Sequence, residues 1–327
     1  MNYSGVIIRM GDIRVGTSSF ADRRLLASGW YPREVDTPAA RLRHYAERFD
    51  LVEVDTTRYA VPAVETTTTW AAATPAGFTF DVTAFGLLTG HPTRVSALPA
   101  DLRPTGPGVP GTVRRKDLDP AVWRAIWDRF HEAVEPIAAA GKLGALLLRF
   151  PAWFARGDAA ARRILATADE AGPHRVAVDL RHPSWFAGGN ALETLLFLQE
   201  HGIGFCCVEA PSTPAVIAAS AEPAIVRFEG HGRDTAAGSP DRFRHTHTDG
   251  QLNWWVNRIR KLAEDVDELH VLVDNCCGDQ GPRDAARLAA ALGRDALGRD
   301  ALGRDALSSG ARVKRAPATT SGSARAR

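Results

Sequence analysis

The chain has 327 residues, 45% hydrophobic and 24% charged, the balance of an ordinary globular protein. That length fits either two domains or one α/β barrel, a fold of about 250 residues. A net charge of +2 is too small to argue for nucleic acid by itself, and no apolar run approaches the ~18 residues of a membrane span, so no membrane partner is expected.

Residues 1–12 read as a leader, with no secretory segment before the first strand. Ile13–Thr17 is a short strand running into the small residues Gly16-Thr17-Ser18-Ser19. A helix is expected over Ala40–Phe49. Leu51–Asp55 is the second strand, and alternation puts Leu51, Glu53, Asp55 and Thr57 on one face. Glu65–Thr74 reads as a helix and Phe78–Val82 as the third strand, with Thr79, Asp81 and Thr83 on its other face. Residues 94–118 break the rhythm: Pro99, Pro104, Pro107 and Pro110 alternate with Gly106, Gly108 and Gly111, which excludes a helix or a central strand. A loop this long is expected to be a lid or disordered. Arg114-Arg115-Lys116 closes it, as a solvated charge run or as a clamp over an anion.

Asp119–Ala140 is a strong amphipathic helix with Pro120 near its start, and Leu143–Phe150 is the fourth strand. Asp158–Ala171 is a helix stopped by Gly172. The fifth strand opens Val176–Trp185, with Ala177, Asp179 and Arg181 on one face. A helix over Ala191–Glu200 leads to the sixth strand, Ile203–Val208. The seventh strand is Ala224–Phe228, where Ile225, Arg227 and Glu229 share a face. A helix over Asp249–Glu264, the eighth strand Leu269–Asp274 and a last helix over Pro282–Leu292 follow.

Four cysteines form two adjacent pairs, Cys206-Cys207 and Cys276-Cys277, without the spacing of a zinc knuckle. Buried thiols in a reducing cytoplasm are expected.

Eight strands alternating with helical segments predict an α/β protein, a single (β/α)8 barrel. A doubly wound sheet is the rival, weakened because no Gly-x-Gly-x-x-Gly follows the first strand. In a barrel the strand ends meet around one mouth, and the same-face polar residues converge there: Glu53, Asp55, Asp81, Asp179, Arg181, Arg227, Glu229, and Asp274 or Asn275. A ligand site is expected at that mouth.

Gly16-Thr17-Ser18-Ser19-Phe20, Trp30-Tyr31-Pro32, Val52-Glu53-Val54-Asp55-Thr56-Thr57 through Tyr59 and Pro62, Gly90-His91-Pro92, Arg149-Phe150-Pro151, Arg181-His182-Pro183-Ser184-Trp185, Val226-Arg227-Phe228 and Asn275-Cys276 carry a resemblance. In order, from about Ile13 to Leu292, the chain resembles the YecE-like family, domain of unknown function family 72. The resemblance implies a TIM barrel with a polar mouth and names no activity. The chain departs from the family pattern at Thr83, where a Lys is usual, and at Asp179, usually Glu. It also departs at Glu229, usually His, at Arg58, usually aromatic, and at Asp274, usually Asn. These changes make the mouth more acidic, and a site that held an anion through Lys and His would hold it less well.

The candidate catalytic residues are Glu53, Asp55, Asp179, Arg181 and Glu229; the candidate ligand-binding residues are Arg181, His182, Trp185, Arg227, Asn275, Thr17, Tyr59 and His91. Each has a plainer reading. Asp179 and Arg181 could be a structural ion pair, His182 and His91 could brace loops, and Trp185 and Trp30 could pack rather than line a slot. Trp123, Trp127, Trp254 and Trp255 fall in helical patterns as packing residues.

Three functional classes follow. The first is an enzyme or former enzyme, a hydrolase or lyase acting on an anionic phosphate- or sugar-bearing small molecule oriented by Arg181 and Arg227. The second holds a weak divalent cation, Mg²⁺ or Mn²⁺, through Glu53, Asp55, Asp179 and Glu229; no dedicated metal residues are assigned. The third is binding without catalysis. It includes weak nucleic-acid contact through Arg114–Lys116 and through residues 308–327, which carry Arg312, Lys314, Arg315, Arg325 and Arg327 and no acid. That tail is expected to be disordered. The three Ala-Leu-Gly-Arg-Asp repeats at 291–305 match no helical stripe, so 293–307 reads as a frayed extension of the last helix.

Overall fold

The computed structural model describes residues 10–209, 216–229, 245–275 and 278–293. The leader up to residue 9, Cys276-Cys277, the repeat beyond Gly293 and the basic tail lie outside the described residues. Eight parallel strands close into a barrel: β1 (Asp12–Thr17), β2 (Leu51–Val54), β3 (Thr79–Thr83), β4 (Leu143–Arg149), β5 (Val176–Asp179), β6 (Gly204–Glu209), β7 (Ala224–Glu229) and β8 (Glu268–Asp274). They neighbour one another in chain order, and β1 closes the ring against β8 with Asp12 opposite Glu268 and Thr17 opposite Val273. The expected barrel is therefore the observed one.

Helices α1 (Arg23–Ala27), α2 (Pro38–Ala46), α3 (Val64–Ala73), α4 (Pro120–Ala139), α5 (Asp158–Glu170), α6 (Asn190–Glu200), α7 (Asp249–Ala263) and α8 (Gln280–Ala291) surround it. Their starts carry local signals. Thr37 and Asp119 cap α2 and α4 by accepting from Ala40 N and Ala121 N, each with proline at the next residue. Thr248 and Gln251 form a capping box on α7. The five-residue α1 was not expected; Asp22 caps it by accepting from Arg24 N and Leu25 N.

Alternation sorts the strand side chains. Outward residues such as Val52, Phe80, Leu146, Val178 and Val226 pack under the helices in the large core. Burying each such side chain contributes about 1.5–3 kcal/mol. Inward, Leu51, Ala145, Leu147, Ala177, Cys206, Val208, Ile225 and Leu272 fill the centre of the barrel. Burial pushes the Cys206 thiol well above its usual range, with Asp179 and Glu53 adding to it, so the thiol stays protonated.

Below this apolar layer lies a second polar layer. His270 Nδ1 is 2.8 Å from Asp81 Oδ2, its Nε2 is 3.0 Å from Glu268 Oε1, and Arg14 donates to Thr79 Oγ1 at 2.5 Å. Asp81 was expected at the mouth. It shares the inward face but sits one layer down, bonded to His270 and to Ala145 N. Parity fixes the face of a side chain and not its level. Gly144 makes the room: a Cβ there would strike Asp81 Oδ1 and stand 2.8 Å from His270 Cε1.

The long loop leaves the C-terminal end of β3. It is less irregular than expected: Thr93–Arg94 pairs antiparallel with Thr112–Val113, two single turns lie between these strands and a third follows them. It holds to α4 through Arg129 Nη2 to Asp101 Oδ2 at 2.9 Å. Arg115 is committed to the Trp123 ring at 4.6 Å and to Glu170 at 3.8 Å, which speaks against a clamp over the mouth. Trp123, Trp127 and Trp255 pack as expected, whereas Trp254 is 45% exposed under the Arg258 guanidinium.

Candidate functional site

Five strands deliver ionic side chains to the C-terminal mouth: Glu53 from β2, Arg149 from β4, Asp179 from β5 with Arg181 just beyond it, Arg227 and Glu229 from β7, and Asp274 from β8. They form one network. Arg181 forks onto Asp179 through Nε to Oδ1 at 2.7 Å and Nη2 to Oδ2 at 2.6 Å. Its Nη1 also donates to Glu229 Oε2 at 2.8 Å. Arg227, only 1% exposed, places Nε 3.0 Å from Glu53 Oε2, Nη1 3.0 Å from Glu229 Oε1 and Nη2 2.7 Å from Asp274 Oδ2. Arg149 Nε donates to Asp179 Oδ2 at 3.0 Å. Thr83 donates to Glu53 Oε1 at 2.8 Å.

Two consequences follow. The carboxylates fall on shared guanidinium forks, which fixes their geometry as few other contacts can. Arg181 and Arg227 are also paired with the protein's own acids. Burial works against the charge of Arg227, but Glu53, Asp274 and Glu229 hold it ionised. An anion could reach Arg227 only by displacing them, so Arg227 is a neutralising and positioning group and not an open anion site.

Asp55, at the end of β2, behaves differently. Its backbone O accepts from Arg58 N at 3.1 Å, but its carboxyl makes no hydrogen bond or ion pair among the described residues and does not cap the turn that follows it. Burial, then Glu53, raise its carboxyl to about 7, with Arg227 and Arg58 opposing. Two groups at the rim complete this corner. His91 is lowered to about 4 by burial and then Arg58, so it is a neutral imidazole with Nδ1 3.3 Å from Gly86 O. Arg58 lies over the Tyr59 ring at 5.1 Å and has no carboxylate partner among the described residues.

The other expected ligand residues divide. Tyr59 is exposed at the rim. Thr17 is buried, its backbone N donating to Tyr45 Oη at 2.8 Å. His182 accepts from Ser184 N at 3.2 Å and so braces the turn after β5. Trp185 donates Nε1 to Phe154 O at 2.7 Å and stacks on the Phe154 ring, so it packs the loop; Trp30 packs edge-on against Tyr31. Asn275 is buried with Nδ2 on His245 O and Asp284 Oδ2.

Sequence reasoning missed Arg149 as a site residue, although Ala145, Leu147 and Arg149 share inward parity on β4. It also missed the buried pair His247–Asp284, 3.0 Å apart, for which a loop histidine and a helical aspartate give no spacing signal. Among the described residues no three His, Cys, Asp or Glu side chains group as a metal ion would need, and no helix is long and apolar enough to cross a membrane.

The fold recurs in known proteins. The curated UPF0759 protein YunF of Bacillus subtilis (strain 168) is 25% identical over 253 residues, covering 73% of this chain and 81% of YunF. A solved DUF72 family protein from Thermotoga maritima MSB8 superposes with a TM-score of 0.68 at 24% identity, over 86% of this chain and 98% of its own. One from Enterococcus faecalis V583 superposes with the same TM-score at 19% identity, over 86% and 95%. The model described as "Protein of unknown function DUF72" matches residues 14–305, which takes in the span from about Ile13 to Leu292 where the motifs resemble that family and runs on into the repeat, and the chain accordingly belongs to the DUF72 family.

Proposed function

We propose that this chain is a general acid–base enzyme, a hydrolase or lyase, acting at the barrel mouth on a sugar-like, polyhydroxylated small molecule with an anionic group. Asp55 carries the reading. A carboxyl near 7 with no partner of its own is poised to take or give a proton at neutral pH, the property that general acid–base catalysis requires. The forked carboxylates Asp179 and Glu229 and the partly exposed guanidinium of Arg181 suit the donors and acceptors of substrate hydroxyls. Arg58, without a carboxylate partner among the described residues, is the cation open to the anionic group. Glu53 and Arg227 hold the charge balance beneath them. The saturation of Arg227 favours hydroxyl recognition over a phosphate clamp at the centre of the mouth.

The test is a thermal-shift screen of monosaccharides and sugar phosphates, followed by a turnover assay of each compound that stabilises the protein. Asp55→Asn should keep the stabilisation and lower turnover by roughly 10²–10⁴-fold. A variant that turns over normally contradicts the role given to Asp55.

A further inference from the structure

Between the ends of β1 and β8 and the first turn of α8 lies a cavity of about 30 Å³, lined by Thr17, Ser18, Asp22, Asp274, Asn275 and Gly281 among others. It has room for one or two oxygen-sized groups. Asn275 is 3% exposed, and its amide is oriented without ambiguity: Nδ2 donates to His245 O at 2.9 Å and to Asp284 Oδ2 at 2.7 Å, both pure acceptors, so Oδ1 is turned the other way. Asp284 is itself locked. Oδ2 also accepts from His247 N at 3.2 Å, and Oδ1 accepts from Gln280 Nε2 at 2.9 Å and Arg287 Nη1 at 2.8 Å. The oxygen so oriented, Asn275 Oδ1, is buried and has no hydrogen-bond partner. Buried acceptors are ordinarily paired with protein or ordered water, so an acceptor left without a protein partner marks a place for a donor from outside the fold.

The opposite wall supplies donors. The residue before α8, Asp279, makes no side-chain cap, and since Pro282 carries no N–H the first-turn amides on this wall are those of Gln280 and Gly281. Gly281 keeps the space open: a Cβ there would stand 3.4 Å from Asn275 Oδ1 and 3.2 Å from Asn275 O. The chemistry selects the occupant. Asn275 Oδ1, Asp22 and Asp274 repel an anion, and the positive end of α8 disfavours a cation. A neutral hydroxyl donates to Asn275 Oδ1 and accepts from a helix amide, and so satisfies both walls. Asp274 joins the cavity to the mouth through its contact with Arg227.

We infer that this cavity is a hydroxyl-recognition subsite, holding water in the free protein and a hydroxyl of the substrate when it binds; the second half rests on the sugar-like substrate proposed above. The test is a set of crystal structures of the full chain, ligand-free and soaked in turn with glycerol, D-ribose, D-glucose, magnesium chloride and inorganic phosphate. The expected result is a water bonded to Asn275 Oδ1 in the free protein and a polyol hydroxyl in its place after soaking. Gly281→Ala, which leaves the amide's bonds to His245 and Asp284 untouched, should exclude that hydroxyl and weaken polyol binding at least tenfold; the wild-type crystals decide the question if the variant does not fold. A dry cavity, or one filled by magnesium or phosphate, overturns the inference. A polyol seated elsewhere in the mouth with the water retained overturns the subsite and leaves the sugar-like reading standing. Water retained with no polyol anywhere in the mouth overturns the substrate half of the subsite and counts against that reading as well.

Discussion

Replacing Arg227 by Met keeps most of the side-chain volume and removes the charge that Glu53, Glu229 and Asp274 share. Arg227 is 1% exposed, so water cannot enter to take its place without moving the strand ends. Removing one partner of a buried ionic group costs about 3–5 kcal/mol, because the remaining charges stay buried without compensation. For a chain of this size that corresponds to a fall in melting temperature on the order of 10 °C. The loss has a signed pH dependence. Without Arg227 the buried acids lose their compensating charge, and proton uptake in the folded variant relieves the repulsion, so its deficit shrinks as pH falls. Urea unfolding followed by circular dichroism at pH 7 and pH 5 reads both effects. Arg227→Lys should fall between, since it keeps the charge and loses the fork. A deficit under ~1 kcal/mol, equal at the two pH values, would refute the neutralising role of Arg227.

The barrel floor makes two further predictions. Burial alone would lower His270, but Asp81 and Glu268 raise it to about 9. The stability it contributes, at most ~3 kcal/mol, is therefore full below its ordinary pKa of ~6.5 and lost as pH rises through about 9. The wild type should lose melting temperature across that window and His270→Gln should not; equal slopes would contradict the pairing. Gly144→Ala drives a methyl against Asp81 and His270 and should cost about 1–3 kcal/mol in urea unfolding, with an unaltered stability counting against the packing described.

Much of the site was legible from parity. Glu53, Asp179, Arg227 and Glu229 were placed on inward faces at strand ends, and the structure joins all four. Parity is a two-state property, so it could not say that Asp81 lies a layer lower, because strand stagger in a closed barrel sets level independently of face. Trp185 and His182 were ambiguous for another reason: both follow β5 in a turn, where side-chain direction depends on which loop packs alongside, here Phe154 and Ser184. The saturation of Arg227 was illegible because counting charges at a mouth does not tell which are already paired. The oriented amide of Asn275 depends on Asp284 and His245, contacts made by chain folding with no spacing signature.

The most direct test of the account is the titration of the Asp55 carboxyl, followed by carbon-detected NMR in the wild-type protein and assigned by comparison with Asp55→Asn. The account predicts half-protonation at about 7, with the signal moving between pH 6 and 8. A midpoint near 4, the ordinary carboxylate value of ~3.9, would contradict the proposal that Asp55 moves the proton at this mouth.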